Sequence, residues 1–446
     1  MSKPPHPFTL HNFRAYWLAR LSGTLAQMAM VIVIGWQVYD IARQTMGVKE
    51  SAFYLGLIGV AQFLPLLVLS LVAGWVADRV DRRLIARAAL LLEAGCAAAL
   101  AWMTWSGIIA LPALFTIAAL LGVARAFAGP SLSALAPNLV PAAVLPTAIA
   151  MSSVSWQTGA VLGPALGGYL YAANPALPYA VSAALFAFSV AMLSLVRPIN
   201  AQGKPSGGNP WQQMVEGLTY VRRNRLVFGA ISLDLFAVLF GGVTALLPVY
   251  ARDILMVGSE GLGHLRGAPS LGAVLVAIGF SIRPLRNNVG QRMLWAVAVF
   301  GAMTALFGLA GPIFYWAMGP AAIGHDYAPG VALSLLALVV LGAADMISVY
   351  VRSSLIQLST PDAMRGRVGA VSTLFISGSN ELGEARAGFF AAVIGPVAAT
   401  AVGGVLAVAI TGLWAYIFPE LRRARNFETV KTLEFPPVEP PKEKAQ

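Results

Sequence analysis

The sequence predicts an all-α polytopic membrane protein with twelve transmembrane helices in two six-helix bundles. Of its 446 residues, 58% are hydrophobic and only 11% are charged, and the mean hydropathy is +0.73. So few charges cannot cover the surface of a water-soluble protein of this length. Apolar segments of about 20 residues or more, the length that crosses a bilayer, recur along the whole chain. The order of small residues in one half also recurs in the other half.

The apolar segments predict twelve spans. The predicted spans lie near residues 15–41, 53–77, 84–106, 109–131, 148–172, 176–196, 226–251, 263–282, 291–316, 331–354, 367–391 and 394–418. The eighth span has the weakest signal, because it begins with His264 and Arg266 and contains Pro269.

An internal repeat divides the chain into halves. A shift of 220 positions without gaps matches Gly122 to Gly342 and Gly163 to Gly383, and it keeps the order of small residues across a helix–loop–helix. Parallel repeats with a binding site between them are a known transporter plan. We therefore expect a first bundle in residues 1–196, a cytoplasmic linker in 197–225, a second bundle in 226–420 and a cytoplasmic tail in 421–446.

The linker begins with a stretch rich in Gly, Pro and Ser, which is typical of a flexible connection. Trp211, Val215 and Leu218 then recur at helical spacing, with Arg222 and Arg223 behind them. This pattern predicts an amphipathic helix on the inner membrane surface.

The basic residues set the expected orientation. The net charge is +11, yet the arginines and lysines cluster in alternate loops, as the positive-inside rule requires, and not on one nucleic-acid-binding face. The opposite loops would hold only Arg43, Lys49, Arg252 and Arg266. This asymmetry predicts that both termini lie in the cytoplasm and that the protein has no nucleic-acid partner.

A charged turn between the second and third spans is the first motif. The turn contains Gly74, Asp78, Arg79, Arg82 and Arg83. Asp78 can accept hydrogen bonds from a helix N-terminus, and the arginines can anchor the turn at a negatively charged membrane face. An ordinary basic hairpin would carry similar charges, so the turn alone leaves a conformational role and a topological role open.

The fifth span carries a run of small residues with a proline in its middle. Its motif consists of Gly159, Gly163, Pro164, Gly167 and Gly168. Glycines four apart share one helix face and allow close contact with a neighbouring helix. Pro164 removes a helical hydrogen bond and predicts a bend. The span is therefore either a pivot or seal between the bundles or a plain packing face.

Ionisable residues within predicted spans are the candidates for proton coupling, because hydrocarbon makes them costly. They are Asp234 in the seventh span, Asp345 in the tenth, and Glu381 and Glu384 in the eleventh. Arg125 in the fourth span is a similarly costly charge, which is expected to face a protein or aqueous interior with a partner. Glu381 and Glu384 share a helix face, so their carboxylates do not ionise independently. Ion pairs that fix packing are the alternative role. Glu93 is a weaker candidate, and we interpret Asp40 as the polar end of the first span.

A second group of polar and aromatic residues within the spans could line a central substrate cavity, combining amide donors with an aromatic wall. The group consists of Arg20, Gln27, Gln37, Gln62, Trp156, Gln157 and Asn380. For Trp156, simple packing or anchoring at the membrane interface is an equally good interpretation. Acids and arginines occur together in the spans, so the charge of the substrate stays open.

Taken together, these motifs resemble the major facilitator superfamily. The turn at 74–83 resembles its loop between helices 2 and 3, and Arg125 with Gly129 resembles its fourth-helix motif. Residues 159–168 resemble the antiporter motif of its exporters. With residues 12–17, 360–368 and 379–384, the resemblance extends to a branch of bacterial drug and siderophore exporters, the transmembrane secretion effectors. It departs at residues 283–292, the second-half counterpart of the first loop, which has no acid.

The resemblance implies the major facilitator fold, a bacterial inner-membrane location and export of drugs, macrolides or siderophores by proton antiport, with Arg125 associated with proton coupling. No P-loop and no zinc-protease or hydrolase motif occurs in the sequence, so we expect no enzyme and no cofactor. The expected partners are a small-molecule substrate, protons and membrane lipids, and the expected state is a monomer. A lysophospholipid facilitator of the same fold and a non-transporting scaffold or sensor are the alternatives.

We predict that Asp78→Asn slows turnover several-fold while substrate affinity stays nearly constant. The carboxylate is expected to steady the turn during the conformational cycle and not to touch the substrate. Transport rates in vesicles and ligand-induced thermal shifts on the same preparation separate the two quantities. An equal loss of affinity and turnover contradicts this role.

Overall fold

The computed structural model describes residues 6–77, 79–135, 138–141, 144–197, 210–283, 285, 287–325 and 328–427. Within these residues the chain is helical and contains no strand. The helices are α1 (His11–Ala42), α2 (Val48–Ala77), α3 (Arg82–Trp105), α4 (Leu111–Leu135), α5 (Leu145–Ala173), α6 (Leu177–Ser194), α7 (Pro210–Arg223), α8 (Arg225–Gly241), α9 (Leu247–Val249), α10 (Gly258–Ile282), α11 (Val289–Met318), α12 (Pro329–Ser359), α13 (Asp362–Ile394), α14 (Pro396–Ile417) and α15 (Pro419–Arg423).

Long apolar helices account for most of this length. In the described part of the chain, 10 helices are long and apolar enough to cross a membrane, with α8 and α9 counted as one span that continues to Ile254. The two further long helices are α5 and α13. The motif residues make α5 rich in glycine. The helix α13 is continuous, but charged residues such as Glu381 and Glu384 interrupt its apolar sequence. Together these elements form the predicted all-α polytopic membrane fold.

The seventh and eighth spans differ in detail from the prediction. The seventh span is broken, because α8 ends at Gly241 and Gly242 takes an extended backbone conformation before the chain turns back into a helix. The weak eighth span begins at Gly258 and runs as one helix through Pro269. Arg266 therefore lies on the helix and not in a loop. Polar residues at the start of this helix are the reason that its first turn was not predicted.

The same packing arrangement occurs twice in the molecule. In the first half, α1 packs on α5 and α6, α3 packs on α4 and α6, and α2 packs on α4. In the second half, α8 packs on α13 and α14, α11 packs on α12 and α14, and α10 packs on α12. The two six-helix bundles meet through two main helix pairs, α2 with α13 and α5 with α10.

The glycines that the sequence repeat aligns occupy equivalent positions in these bundles. A Cβ atom added at Gly122 would overlap the carbonyl oxygen of Gln62, where α4 crosses α2. A Cβ atom added at Gly342 would overlap the carbonyl oxygen of Pro269, where α12 crosses α10. Only glycine allows backbones to approach this closely. The sequence repeat therefore reflects helix crossings that occur at equivalent positions in the two bundles.

The helix α7 packs on the second bundle. Its Gly217 lies against α13, where a Cβ atom would stand 2.7 Å from the Arg367 carbonyl oxygen. Arg367 also pairs with Glu216 at 2.5 Å, and the Tyr220 hydroxyl donates to the Ser359 carbonyl. Val215 and Leu218, from the predicted apolar stripe, are 46% and 37% exposed. The helix thus uses one face for docking and leaves Val215 and Leu218 available to a membrane surface.

We predict that Gly122→Val and Gly342→Val each destabilise the protein, because no space exists for a side chain at either crossing. Overpacking of this kind costs about 1–3 kcal/mol per site, and it should lower the thermal unfolding midpoint in detergent. Gly95→Val is the matched control, since a Cβ atom at Gly95 meets nothing within 4 Å. Equal midpoints for all three variants would contradict the assignment of these crossings.

Candidate functional site

A central cavity lies between the two bundles and takes its walls from both. Its volume is about 120 Å³, and it is partly open to solvent. It is lined by Met28, Val31, Ile32, Gly35, Leu55, Ile58, Gly59, Gln62, Arg125, Thr244, Ala245, Leu247, Pro248, Leu262, Arg266, Glu381 and Glu384. Most of these side chains are aliphatic, and none is aromatic. A few polar groups on an apolar wall are typical of a small-molecule site.

The charged residues of the cavity come from three helices and balance one another. Arg125 of α4 donates from Nη1 to Oε1 of Gln62 at 3.1 Å. Glu384 of α13 accepts a hydrogen bond from the Thr244 hydroxyl at 2.8 Å, and its Oε1 lies 3.9 Å from Nη1 of Arg266. With Glu381, the cavity holds two arginines and two glutamates.

The charged side chains of the cavity can exchange hydrogen-bond and ion-pair partners at a low cost in free energy. At 3.9 Å the Arg266–Glu384 pair is loose, and among the described residues Glu381 makes no hydrogen bond or ion pair. A substrate bearing either charge, or a proton, can therefore take the place of an internal contact. No cluster of His, Cys, Asp and Glu suited to a metal ion occurs among the described residues.

One end of the molecule, which we call the gate end, is closed by charged residues at the end of α1 and in the π-helical segment Tyr250–Ile254 that follows α9. Arg43 pairs with Asp253 at 3.1 Å, and the Tyr39 hydroxyl donates to the same carboxylate at 2.5 Å. Arg252 pairs in turn with Asp40. The hydrogen bonds to Asp253 raise the pKa of the Arg43 guanidinium. Each bundle contributes one acid and one base, so the contacts are reciprocal.

The helices that join the bundles also lie closest together at the gate end. Where α13 meets α2, a Cβ atom at Gly388 would overlap the backbone of Gly56. One turn farther along α2, a Cβ atom at Gly59 would stand 3.8 Å from Cβ of Glu384, and one at Gly378 would meet nothing within 4 Å. The two helices therefore diverge toward the other end of the molecule, which carries α7 and which we call the linker end.

The second joining pair, α5 with α10, diverges in the same direction. A Cβ atom at Gly168 would stand 2.5 Å from the Ser259 carbonyl oxygen. At Gly263 the nearest atom of α5 would be 3.2 Å away, and at Gly267 it would be 3.6 Å away. Both interfaces thus have the shape of a wedge that is closed at the gate end and widens toward the linker end.

The glycine motif of α5 makes these contacts possible. Gly159, Gly163 and Gly167 face α1, where added Cβ atoms would stand 2.5 to 2.9 Å from atoms of α1 residues. Gly168, one position on, faces α10 of the other bundle. Pro164 lies inside α5, which continues from Leu145 to Ala173 as one helix. The motif therefore places α5 against its own bundle and the second bundle at once.

The charged turn between α2 and α3 lies at the linker end. Asp81 caps α3, accepting from the backbone N–H of Arg83 at 2.9 Å, and the Arg83 side chain holds the pKa of the Asp81 carboxyl below its usual range. Arg83 also donates to the Val196 carbonyl of the α6 end at 3.0 Å. Arg79 precedes this cap, Arg82 begins α3, and Gly74 lies in α2. Asp78 is outside the described residues.

The remaining predicted acids lie within the second bundle and not in the central cavity. Asp234 of α8 forms a buried ion pair with Arg352 of α12. Asp345 of α12 shares a small cavity with Asp234 and Ser348, and within the described chain it makes no hydrogen bond or ion pair. Two carboxylates with one arginine leave this cavity with an excess negative charge whenever both acids are ionised.

The residues predicted to line the cavity are dispersed by the structure. Gln62 lines the central cavity, and Gln27 lines a smaller pocket behind it. Gln37 instead bonds the Tyr179 hydroxyl at 2.6 Å inside the first bundle, and Arg20 bonds the Tyr16 hydroxyl at 2.8 Å. Trp156 is 42% exposed. Trp156, Gln157 and Asn380 lie outside the central cavity in this conformation.

Sequence reasoning missed the gate residues and two cavity residues. Asp40 is an ion-pair partner and not merely the polar end of a span. A signal for the gate was present in the sequence. Spans one and seven occupy equivalent positions in the two halves of the repeat, and each ends with an acid and a base close together. Arg266 was missed because it was counted with the basic residues of the opposite loops, and Thr244 was missed because the seventh span was drawn as continuous.

We predict that Asp253→Asn opens the gate end more often, because it removes the carboxylate that Tyr39 and Arg43 share. A loss of about 1 kcal/mol from the closed state raises the open population about fivefold. The check is the labelling rate of a cysteine placed at Ala245, with a membrane-impermeant reagent added on the gate side. Glu420→Gln, which breaks the exposed pair with Arg225, should leave the rate unchanged, and equal rates in all three proteins would contradict the gate.

Comparison with known proteins agrees with this geometry. A family model described as transmembrane secretion effector matches residues 2–442. The chain is 26% identical over 420 residues to enterobactin exporter EntS of Escherichia coli O127:H6, covering 93% of each chain. It is 27% identical over 421 residues to the exporter of the same name from Salmonella choleraesuis, covering 93% of this chain and 94% of the other.

Solved structures share the fold. A D-xylose–proton symporter matches with a TM-score of 0.69 at 15% identity, over 94% of this chain and 99% of its own. A bacterial homologue of the iron transporter ferroportin, in an inward-facing state, matches with a TM-score of 0.66 at 17% identity, over 92% and 98%. The chain is a membrane transporter and not an enzyme, and it belongs to the transmembrane secretion effector family of the major facilitator superfamily.

Proposed function

We propose that this protein exports an amphipathic small molecule from the cytoplasm by alternating access, driven by proton antiport. The observation that carries the proposal is the central cavity, which lies between the two bundles, is closed by ion pairs at one end and lies in a wedge that widens toward the other. A site that faces one side of the membrane at a time is the requirement for alternating access. The enterobactin exporters at 26% identity support export as the direction and a siderophore-like compound as one substrate class.

The proposed orientation places the linker end on the cytoplasmic side of the bacterial inner membrane, with both termini on that side. The basic residues of the α2–α3 turn and of α7 then face the anionic inner surface, as the positive-inside rule requires. The open cavity in this conformation would take substrate from the cytoplasm. Outward release would require the gate pairs to part while the linker end closes.

In this scheme the bundles of residues 1–196 and 226–420 move as two units, and the protein works as a monomer in the lipid bilayer. The α2–α3 turn, with Asp78, would steady the linker end as it closes. The glycines of α5 would let α5 and α10 remain in contact during the movement, because a smooth surface can change its crossing angle without a clash.

The cavity charges supply the means of coupling. A proton that enters from the gate side would neutralise Glu381 or Glu384 and weaken the contact with Arg266. Cationic or neutral substrate that arrives from the linker end would then compete with the proton for the same carboxylates. Asp234 and Asp345 provide a second candidate proton site inside the second bundle, and Arg125 would respond to the charge of Glu381 across the cavity.

We predict that a proton gradient drives efflux of at least one of three probes, enterobactin, erythromycin or ethidium, from proteoliposomes containing the purified protein. Efflux of each transported probe should carry protons into the vesicles, where a pH-sensitive dye records the acidification. Replacing Glu381 and Glu384 by Gln together should lower the coupled proton flux at least about tenfold, corresponding to ~1.4 kcal/mol of lost coupling. Asp234→Asn and Asp345→Asn test the second site.

The exposed Glu420→Gln variant serves as the control and should transport as the wild type does. Unchanged substrate-driven proton flux after replacement of all four acids would refute proton coupling through them. Transfer of lysophosphatidylcholine alone, without coupled proton movement, would identify a lipid facilitator in place of a drug or siderophore exporter.

A further inference from the structure

Glu93 is an acid of the first bundle that the central cavity does not use. It lies on α3 in the middle of the membrane span and is 4% exposed. Within the described residues it makes no hydrogen bond and no ion pair. A buried carboxylate without donors is costly to keep ionised, and such residues in membrane helices are functional candidates.

The surroundings of Glu93 connect it to the central cavity. Glu93 lines a small pocket with Gln27 of α1, Gln62 of α2, Arg125 of α4 and Phe186 of α6. Gln62 and Arg125 also line the central cavity. These two side chains, joined by a hydrogen bond of 3.1 Å, are therefore the wall between the cavity and the pocket that holds Glu93.

Arg125 consequently stands between two acids. It lines the small pocket with Glu93 on one side and the central cavity with Glu381 of the opposite bundle on the other. A guanidinium has five N–H donors and can change partner by rotation of its side chain. The distance between Arg125 and Glu381 changes when the bundles move, whereas Arg125 and Glu93 belong to the same bundle.

We propose that Glu93 is a further proton-binding site of the transport cycle, located in the first bundle, and that Arg125 controls it by turning toward either Glu93 or Glu381. This inference rests on the proton antiport proposed above. While Glu381 is ionised and near, Arg125 faces the cavity and Glu93 holds its proton. When Glu381 is neutralised, Arg125 turns to Glu93, and the proton leaves through the polar wall formed by Gln62.

The other side chains around Glu93 are neutral, so Arg125 is the main control on the protonation of Glu93. From α1 and α2 the pocket receives the neutral amides of Gln27 and Gln62, and from α6 it receives Phe186. On α3 itself, Cys96 is a further titratable neighbour. Among the described residues that line the pocket, Arg125 is the one positive charge.

The test is an infrared titration of the full-length protein in lipid bilayers, without substrate. The carbonyl stretch of a protonated carboxyl is recorded through a pH series in the wild type, Glu93→Gln, Glu93→Asp and Glu50→Gln. We expect Glu93→Gln to remove one such band that titrates in the wild type. Glu93→Asp should restore a carboxyl band at a shifted position. Glu50→Gln, which changes an exposed acid at the start of α2, should keep the wild-type band.

Arg125→Met tests the control. Without the guanidinium, the Glu93 band should persist at proton concentrations at least about tenfold lower than in the wild type. An unchanged spectrum in Glu93→Gln overturns the proton site, and an unchanged titration in Arg125→Met overturns the switch. Efflux that proves independent of the proton gradient would refute antiport without affecting this band. Proton-driven efflux in the absence of a Glu93 band would refute only the present inference.

Discussion

The high cost of an uncompensated charge in hydrocarbon is the constraint on which the rest of this structure depends. It explains why Asp234 is paired with Arg352 in the second bundle and why the polar groups of the broken seventh span meet Glu384. It also separates structural charges from functional ones. A tightly paired ion couple fixes two helices, whereas a loosely paired or isolated carboxylate can change its protonation state and thereby bias a conformational equilibrium.

Glycine makes the complementary contribution, because it decides where helices can approach. The crossings at Gly122 and Gly342 hold each bundle together, and those at Gly56, Gly388 and Gly168 hold the bundles to each other at one end. The first kind lies inside a bundle and persists through any relative movement of the two. In the proposed transport cycle the second kind loosens when the gate end opens. The same residue type would thus support both the rigid bundles and the joint that moves between them.

The sequence was sufficient for the fold, because span length, the positions of charges and the 220-residue repeat are all local or periodic signals. It was also sufficient to single out Glu381, Glu384 and Arg125, which share the central cavity. The partners of these residues could not be predicted, since Thr244 and Arg266 come from other helices whose relative rotation the sequence does not encode locally. Amide residues such as Gln37 look alike in sequence whether they face a cavity or, as here, a tyrosine of the same bundle.

The docking of α7 has a practical consequence for work on this transporter. Because Glu216 and Tyr220 fasten α7 to the second bundle, while Arg83 fastens the α2–α3 turn to the end of α6, each bundle presents one firmly attached landmark on the same face of the molecule. Movement of the bundles changes the separation of these landmarks. A synthetic antibody fragment that grips both would hold the protein in a single state and add mass outside the membrane for imaging.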